Sequence, residues 1–255
     1  MISILLASAI GLAPAAATAG PAKPTVVLVH GAFAGSNIWD GVIADLARDG
    51  YPVVAAPNTL RGIASDAAVV NAVVKSIHGP VVLVGNSYAG SVISAAAADA
   101  NNVKALVFVA AFAPEIGETS GGLNAKFPGS TLGPTLAPPV TLPNGVQDLY
   151  VQQDKFPAQL AADVPVAKAR LLAAEQRPVA AAAFSEEVRV AAWKTIPSWS
   201  IYGSKDIDIP PSVLNFMAMR AHSRKTVVIP GASHLLMISH PHEVAALIEA
   251  AAAGS

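Results

Sequence analysis

The stretch that most constrains this chain is Val81-Val82-Leu83-Val84-Gly85-Asn86-Ser87-Tyr88-Ala89-Gly90. Four aliphatic residues in a row predict a short buried strand. Gly85 breaks it, and the small residues of 91–98 predict a helix. A serine on so tight a strand-to-helix turn needs small neighbours, and the turn lifts its hydroxyl above a sheet edge at a helix N-terminus. The spacing is G-x-S-x-A, with Ala89 in place of a second glycine and Gly90 directly after it. Alanine is the smallest departure such a turn could carry. A serine that only caps a helix needs no strand before it; here strand, turn and helix occur together.

Around this turn, strands and helices alternate. Residues 25–29 predict a buried parallel strand that runs into the small-residue loop His30-Gly31-Ala32-Phe33-Ala34-Gly35-Ser36. Residues 39–48 have helical spacing through Trp39, Val42, Ile43 and Leu46, and Gly50 stops them. A second strand is expected at 53–56, then a helix from an N-cap at Ser65 to Ile77 with Val69, Val70, Val73 and Val74 on one side. Further strands are expected at 103–110, 198–202 and 226–229, and helices at 211–221 and 244–252, the last with Pro241 in its first turn. This alternation means an α/β fold with a doubly wound parallel sheet. Ligands of such sheets sit at strand carboxyl ends, near the topological switch point.

From Phe112 to about Ala192 the rhythm changes. Residues 127–145 are dense in Pro and Gly, and 149–177 predict helical pieces interrupted by Pro157 and Pro165. A long excursion without strands, set between two sheet strands, is expected to form a lid over the sheet's carboxyl edge. Phe127, Tyr150, Phe156, Leu160, Leu171, Leu172 and Phe184 need a surface to cover, which argues against a loose surface loop.

The 255 residues suffice for one large domain carrying such an insertion. Only 13% of them are charged, the formal net charge is −1, and Lys and Arg are scattered singly. Nothing here would hold a nucleic acid or an anionic membrane by electrostatics. The absence of cysteine excludes disulfides, thiolate metal sites and a cysteine nucleophile together. Residues 2–17 are almost continuously apolar, and Ala17-Thr18-Ala19 has the form of a cleavage site before Gly20. Residues 1–19 are therefore expected to be an export signal, too short for a membrane span, which leaves residues 20–255 as a periplasmic or secreted domain without membrane contact. No Lys or Arg precedes the apolar run, so a frayed N-terminal helix on a cytoplasmic protein is the competing reading.

A serine hydroxyl is a poor nucleophile until a base takes its proton, and the base needs an acid to fix its tautomer. Both follow strands: Gly203-Ser204-Lys205-Asp206-Ile207-Asp208-Ile209-Pro210 after the fifth, and Pro230-Gly231-Ala232-Ser233-His234 after the sixth. The expected catalytic groups are Ser87, His234 and Asp206. His240 and His242 flank Pro241 at a helix start, where a solvated ring is the default. Asp208 competes with Asp206 for the acid, or caps the helix beyond Pro210 and Pro211. An oxyanion needs backbone N–H donors; Tyr88 supplies one and the loop after the first strand the other, Ala32 ahead of Phe33. His30 is expected to pin that loop through its side chain. Phe33, Tyr88 and Phe112 are expected to make the pocket apolar.

These motifs together resemble the α/β-hydrolase superfamily from Thr25 onward, and within it the small lidded esterases related to plant methylesterases and hydroxynitrile lyases. The matching residues are Val27-Leu28-Val29-His30-Gly31-Ala32, the Gly85–Gly90 turn, Ala111-Phe112-Ala113-Pro114 and Ser233-His234-Leu235-Leu236-Met237. The chain order Ser, Asp, His is that of the superfamily. The resemblance implies a six-stranded core with a helical lid after the fourth strand, and an ester-hydrolysing triad without cofactor or metal. Asn86 departs from the family's frequent His, and Ala89 from its Gly. Hydroxynitrile lyases of this group carry a Lys directly after the catalytic His; Leu235 stands here, which favours hydrolysis. Related dehalogenases and epoxide hydrolases use an Asp nucleophile, which Ser87 argues against.

The implied activity is a serine carboxylesterase acting on small to medium apolar esters through an acyl-enzyme. The alternatives are another serine-dependent reaction of the fold (thioester, lactone or C–C cleavage, or a cofactor-free haloperoxidase activity) and a non-catalytic pocket for a small hydrophobic molecule. Sustained turnover supports the enzyme; a single slow turnover with retained product supports the binder.

Overall fold

The computed structural model describes residues 23–254; the expected export signal lies outside the described residues. The main sheet contains β1 (Thr25–Val29), β2 (Val53–Ala56), β3 (Val81–Asn86), β4 (Val103–Val109), β5 (Ser198–Gly203) and β6 (Lys225–Ile229). All pair in parallel, in the order β2-β1-β3-β4-β5-β6. Every residue of β3 is buried, as a parallel strand covered on both faces requires.

The helices between strands are α1 (Asp40–Arg48), α2 (Ile63–Ser76), α3 (Ala89–Ala97) and α4 (Pro211–Arg220), with α5 (Pro241–Ala253) after the last strand. From β1 the chain first steps to β2 on one side, then returns past β1 to β3 and continues the other way. Right-handed crossovers therefore put α1 on one face and α2, α3 and α4 on the other. Accordingly α1 packs against α5, and α2 against α3. The reversal falls between β1 and β3, so the loops leaving those two strands border the switch-point crevice. Ser87 follows β3 there.

Two local expectations are corrected. Ser65 does not cap α2: the helix begins at Ile63, and the Ser65 hydroxyl donates back to the Gly62 carbonyl (3.0 Å). Glu186 caps it instead, accepting from the N–H groups of Ile63 (2.7 Å) and Ala64 (2.9 Å). A carboxylate there also meets the positive end of the helix dipole, and its distance of over a hundred residues along the chain hides it from any local pattern. The segment between β4 and β5 is also not free of strands. Val140–Thr141, Gln147–Leu149 and Val179–Ala180 form a small antiparallel sheet among four short helices, Ser120–Asn124, Leu132–Thr135, Phe156–Leu160 and Val166–Glu175. Phe156, Leu160 and Leu172 of this insert are buried, but Leu171 is 58% exposed and covers nothing. No described helix is long and apolar enough to cross a membrane.

The close packing of α3 explains how the turn carries Ala89. The backbone approach that demands glycine falls one position later: a Cβ on Gly90 would lie 2.0 Å from the Phe112 carbonyl oxygen, while Ala89 itself is simply buried. Gly90→Ala should therefore cost about 1–3 kcal/mol of overpacking and lower the thermal midpoint by several degrees. Gly133→Ala, where a Cβ meets nothing within 4 Å, is the control and should leave the thermal midpoint no lower than in the parent.

Candidate active site

Ser87 occupies the first residue after β3 with φ of 55°, a left-handed conformation that costs a non-glycine residue free energy and persists only where its surroundings enforce it. The enforcement is visible. The Ser87 N–H donates to the Ala110 carbonyl (3.1 Å), and its own carbonyl accepts from the N–H groups of Gly90 (3.0 Å) and Phe112 (3.1 Å). The Asn86 side-chain amide donates to the Val109 carbonyl (3.0 Å), fastening the turn to the end of β4. The loop after β1 passes directly over it: a Cβ on Gly31 would stand 2.7 Å from the Ser87 Cβ. Only glycine allows the two loops to lie so close.

The side chains of Asp206 and His234 meet. β5 and β6 pair up to Gly203 and Ile229, so the loops after them emerge side by side. Asp206 places one carboxylate oxygen 2.7 Å from Nδ1 of His234, and its other oxygen accepts from the N–H groups of Asp208 and Ile209, each at 2.9 Å. Asp208 does not cap a helix. α4 starts beyond it with no side-chain cap, and the Asp208 Oδ2 lies 3.2 Å from Nε2 of His234, on the ring's far side from Asp206. Among the described residues, no hydrogen bond joins the Ser87 hydroxyl to His234.

Burial works against a charged imidazole at His234, but the Asp206 and Asp208 carboxylates outweigh it and raise the ring's pKa to about 9. Burial in turn pushes Asp208 up to about 6, against the pull of His234 and with a further push from Asp206. Both neighbours thus favour a proton on the ring, which has a carboxyl group at each nitrogen. His30 is the opposite case. Burial drives it down to about 4, so it is neutral, with Nδ1 3.0 Å from the Gly31 carbonyl, inside the loop it was expected to pin. His242 is exposed against Asp45, and His240 pairs loosely with Glu243 and Asp163.

A cavity of about 310 Å³ opens beside Ser87. Phe33, Phe112, Leu132 and Phe184 give it apolar walls, and Ala32, Ser87 and Asp208 also line it. The Tyr88 ring does not, contrary to expectation. It lies fully buried behind Phe184, edge-on at 6.0 Å between centroids, with its hydroxyl on Asp66 (2.9 Å). Burial and then the Asp66 charge push that phenol's pKa upward. Asp66 went unnoticed in the sequence because it reads as an ordinary acidic residue of a helix's first turn. Ser120, Asn124 and Ser130, also in the lining, sit in the insert, where nothing in the local pattern marks them. Among the described residues, the amide N–H groups of Ala32, Phe33 and Tyr88 donate no backbone hydrogen bond. A larger surface hollow, about 580 Å³ beside Trp193 and Arg220, holds none of these groups.

The chain belongs to the Alpha/beta hydrolase family, which it matches over residues 26–247. Among solved structures it is similar to a polyneuridine aldehyde esterase (19% identity, TM-score 0.77, covering 89% of this chain and 98% of that one). It is also similar to a pyrethroid hydrolase from Sphingobium faniae JZ-2 (20%, 0.70, 90% and 97%) and to a methylesterase from Arabidopsis (18%, 0.73, 91% and 100%). At these identities the likeness is one of fold. No match was found among curated proteins.

The neutral His30 has a consequence for stability. Its folded pKa lies below that of the free side chain, so the unfolded state takes up a proton first as pH falls from about 6.5 to about 4, and stability is lost across that window. His30→Asn should remove on the order of 2 kcal/mol of the drop between about pH 7 and 4.5. Urea denaturation of both proteins at the two pH values checks it; equal losses would mean that His30 is protonated in the folded chain.

Proposed function

We propose that this protein is a serine carboxylesterase. The observation that carries the reading is the Asp206–His234 pair at 2.7 Å, placed at the same sheet edge as a serine held at a left-handed turn beside an apolar cavity. The esterase and hydrolase names of the fold neighbours accord with it.

In this reading Ser87 attacks the ester carbonyl while the Nε2 of neutral His234 takes its proton. Asp206 holds Nδ1–H and stabilises the imidazolium as it forms. The N–H groups of Ala32 and Tyr88 receive the oxyanion, where charge develops in the transition state. The imidazolium then protonates the leaving alcohol. A water, deprotonated by the same ring, splits the acyl-enzyme and releases the acid. The aromatic walls, Phe33 and Phe112 among them, suit small to medium uncharged esters, since a charged group would lose its hydration there without a partner. The insert, which supplies Leu132 and Phe184 to the cavity, serves as its lid.

Ser87→Ala should lower turnover of p-nitrophenyl butyrate by about 10⁴-fold or more, as removal of a triad member does elsewhere. A variant that keeps the parent rate would refute the mechanism. Asp206→Asn should cost about 10³- to 10⁴-fold in kcat through the wrong tautomer, far more than any loss in Asp208→Asn; steady-state kinetics near neutral pH rank the two.

A further inference from the structure

Asp208 stands where the partner of a catalytic imidazole's outer nitrogen belongs. Its Oδ2 lies 3.2 Å from Nε2 of His234 while Asp206 holds Nδ1 at 2.7 Å, and Asp208 shares the cavity lining with Ser87. A doubly protonated imidazole is a donor at both nitrogens and has no lone pair. Clamped in this way, the ring has nothing with which to accept the Ser87 proton.

The clamp is built, not incidental. The Asp208 N–H donates to Asp206 (2.9 Å), and the Ser130 hydroxyl donates to the Asp208 carbonyl (2.8 Å). The Thr131 N–H and the Gln159 amide donate to the adjacent Ile207 carbonyl (2.9 and 3.3 Å). The turn is thus held from the acid loop and from the insert together. Asp208 Oδ1 is buried and has no hydrogen-bond partner among the described residues, so the imidazolium is the strong partner that offsets burial of this carboxylate. The charged groups acting on His234 are Asp206 and Asp208, and those acting on Asp208 are His234 and Asp206. From the insert, Asp163 is engaged by the Ser233 and Ser239 hydroxyls, and Gln159 presents a neutral amide.

Building on the triad assignment, we propose that Asp208 is a positioning residue that holds His234 through Nε2–H and keeps the base from Ser87 until that proton leaves. The proton passes to solvent base, and the Nε2 lone pair it uncovers then accepts the Ser87 hydroxyl. The acid limb of kcat/KM, which reports the free enzyme's base, therefore lies on the alkaline side for this enzyme. Removing the Asp208 charge moves it toward neutrality.

The test is kcat/KM for p-nitrophenyl butyrate from about pH 5.5 to 10 in the parent protein and in Asp208→Asn. Alongside, the His234 ring is titrated by NMR in Ser87→Ala and in Ser87→Ala/Asp208→Asn. The expected result is a parent limb near the ring's value of about 9 and a variant limb at least about one pH unit lower. The ring titration moves by the same amount, and activity near pH 7 rises about tenfold or more. An unshifted ring and limb in Asp208→Asn overturn the proposal, as does a fall in rate at every pH with the limb unmoved. Asp208→Ala repeats the test if the Asn variant lacks a cooperative thermal transition. A parent protein that cleaves no ester defeats the esterase reading, and the ring titration still decides the role of Asp208.

Discussion

Burying an imidazole between two carboxyl groups carries a desolvation cost of roughly several kcal/mol for each of them that is charged, and the chain around the sheet edge is arranged to offset it. Asp206 gains two backbone N–H donors from its own loop in addition to the ring. The loops bearing the acid and the imidazole are also tied to each other. The Lys205 N–H donates to the Ala232 carbonyl (3.0 Å), the Ser204 N–H to that of Ile229 (3.0 Å), and the Gly231 N–H to the Ser204 hydroxyl (2.9 Å). The register of β5 on β6 sets these contacts. The ionic group therefore depends on a parallel pairing laid down before either loop begins, which is how residues 28 positions apart meet at 2.7 Å.

The same dependence explains what the sequence revealed. Each of Ser87, Asp206 and His234 comes shortly after a predicted strand, so predicting the strand also predicts the edge from which the side chain emerges. Local residue choice carries that information: Gly31 and Gly90 allow the close approaches, and Asn86 ties the turn to β4. Once the order of the strands is known, the face taken by each helix follows from the handedness of crossovers.

What the sequence concealed has a common physical cause: contacts whose partners are distant in the chain and unmarked by any period. Strands of two or three residues, such as Val140–Thr141 and Gln147–Leu149, are too short for alternation to register. The cap of α2 comes from Glu186 rather than from the serine beside it. Asp206 and Asp208 present the same chemistry two residues apart, and only the turn that Asp206 closes on the N–H groups of Asp208 and Ile209 sends one carboxylate to each face of the ring. The sequence shows Tyr88 as an aromatic residue beside the turn, but a buried hydroxyl needs a partner, and Asp66 draws it inward, away from the pocket.

The insert has a further part in this arrangement. It contributes cavity wall, and it also bonds to the loops that carry Asp206 and His234. Gln159, Ser130 and Thr131 hold the carbonyls of Ile207 and Asp208. On the other side, the Leu160 carbonyl accepts from the Leu235 N–H (2.9 Å) and the Ser233 hydroxyl (3.2 Å), the two residues flanking His234. Lifting the helix Phe156–Leu160 off the sheet would break bonds to both loops at once and release the geometry that keeps the imidazole between its acids. The short helix Ser120–Asn124, whose Ser120 and Asn124 line the cavity, belongs to the same network: the Asn124 amide donates to the Ser130 hydroxyl (3.0 Å), which donates to the Asp208 carbonyl, while buried Leu123 and the Ser120–Ser91 contact (3.0 Å) hold the helix to the core.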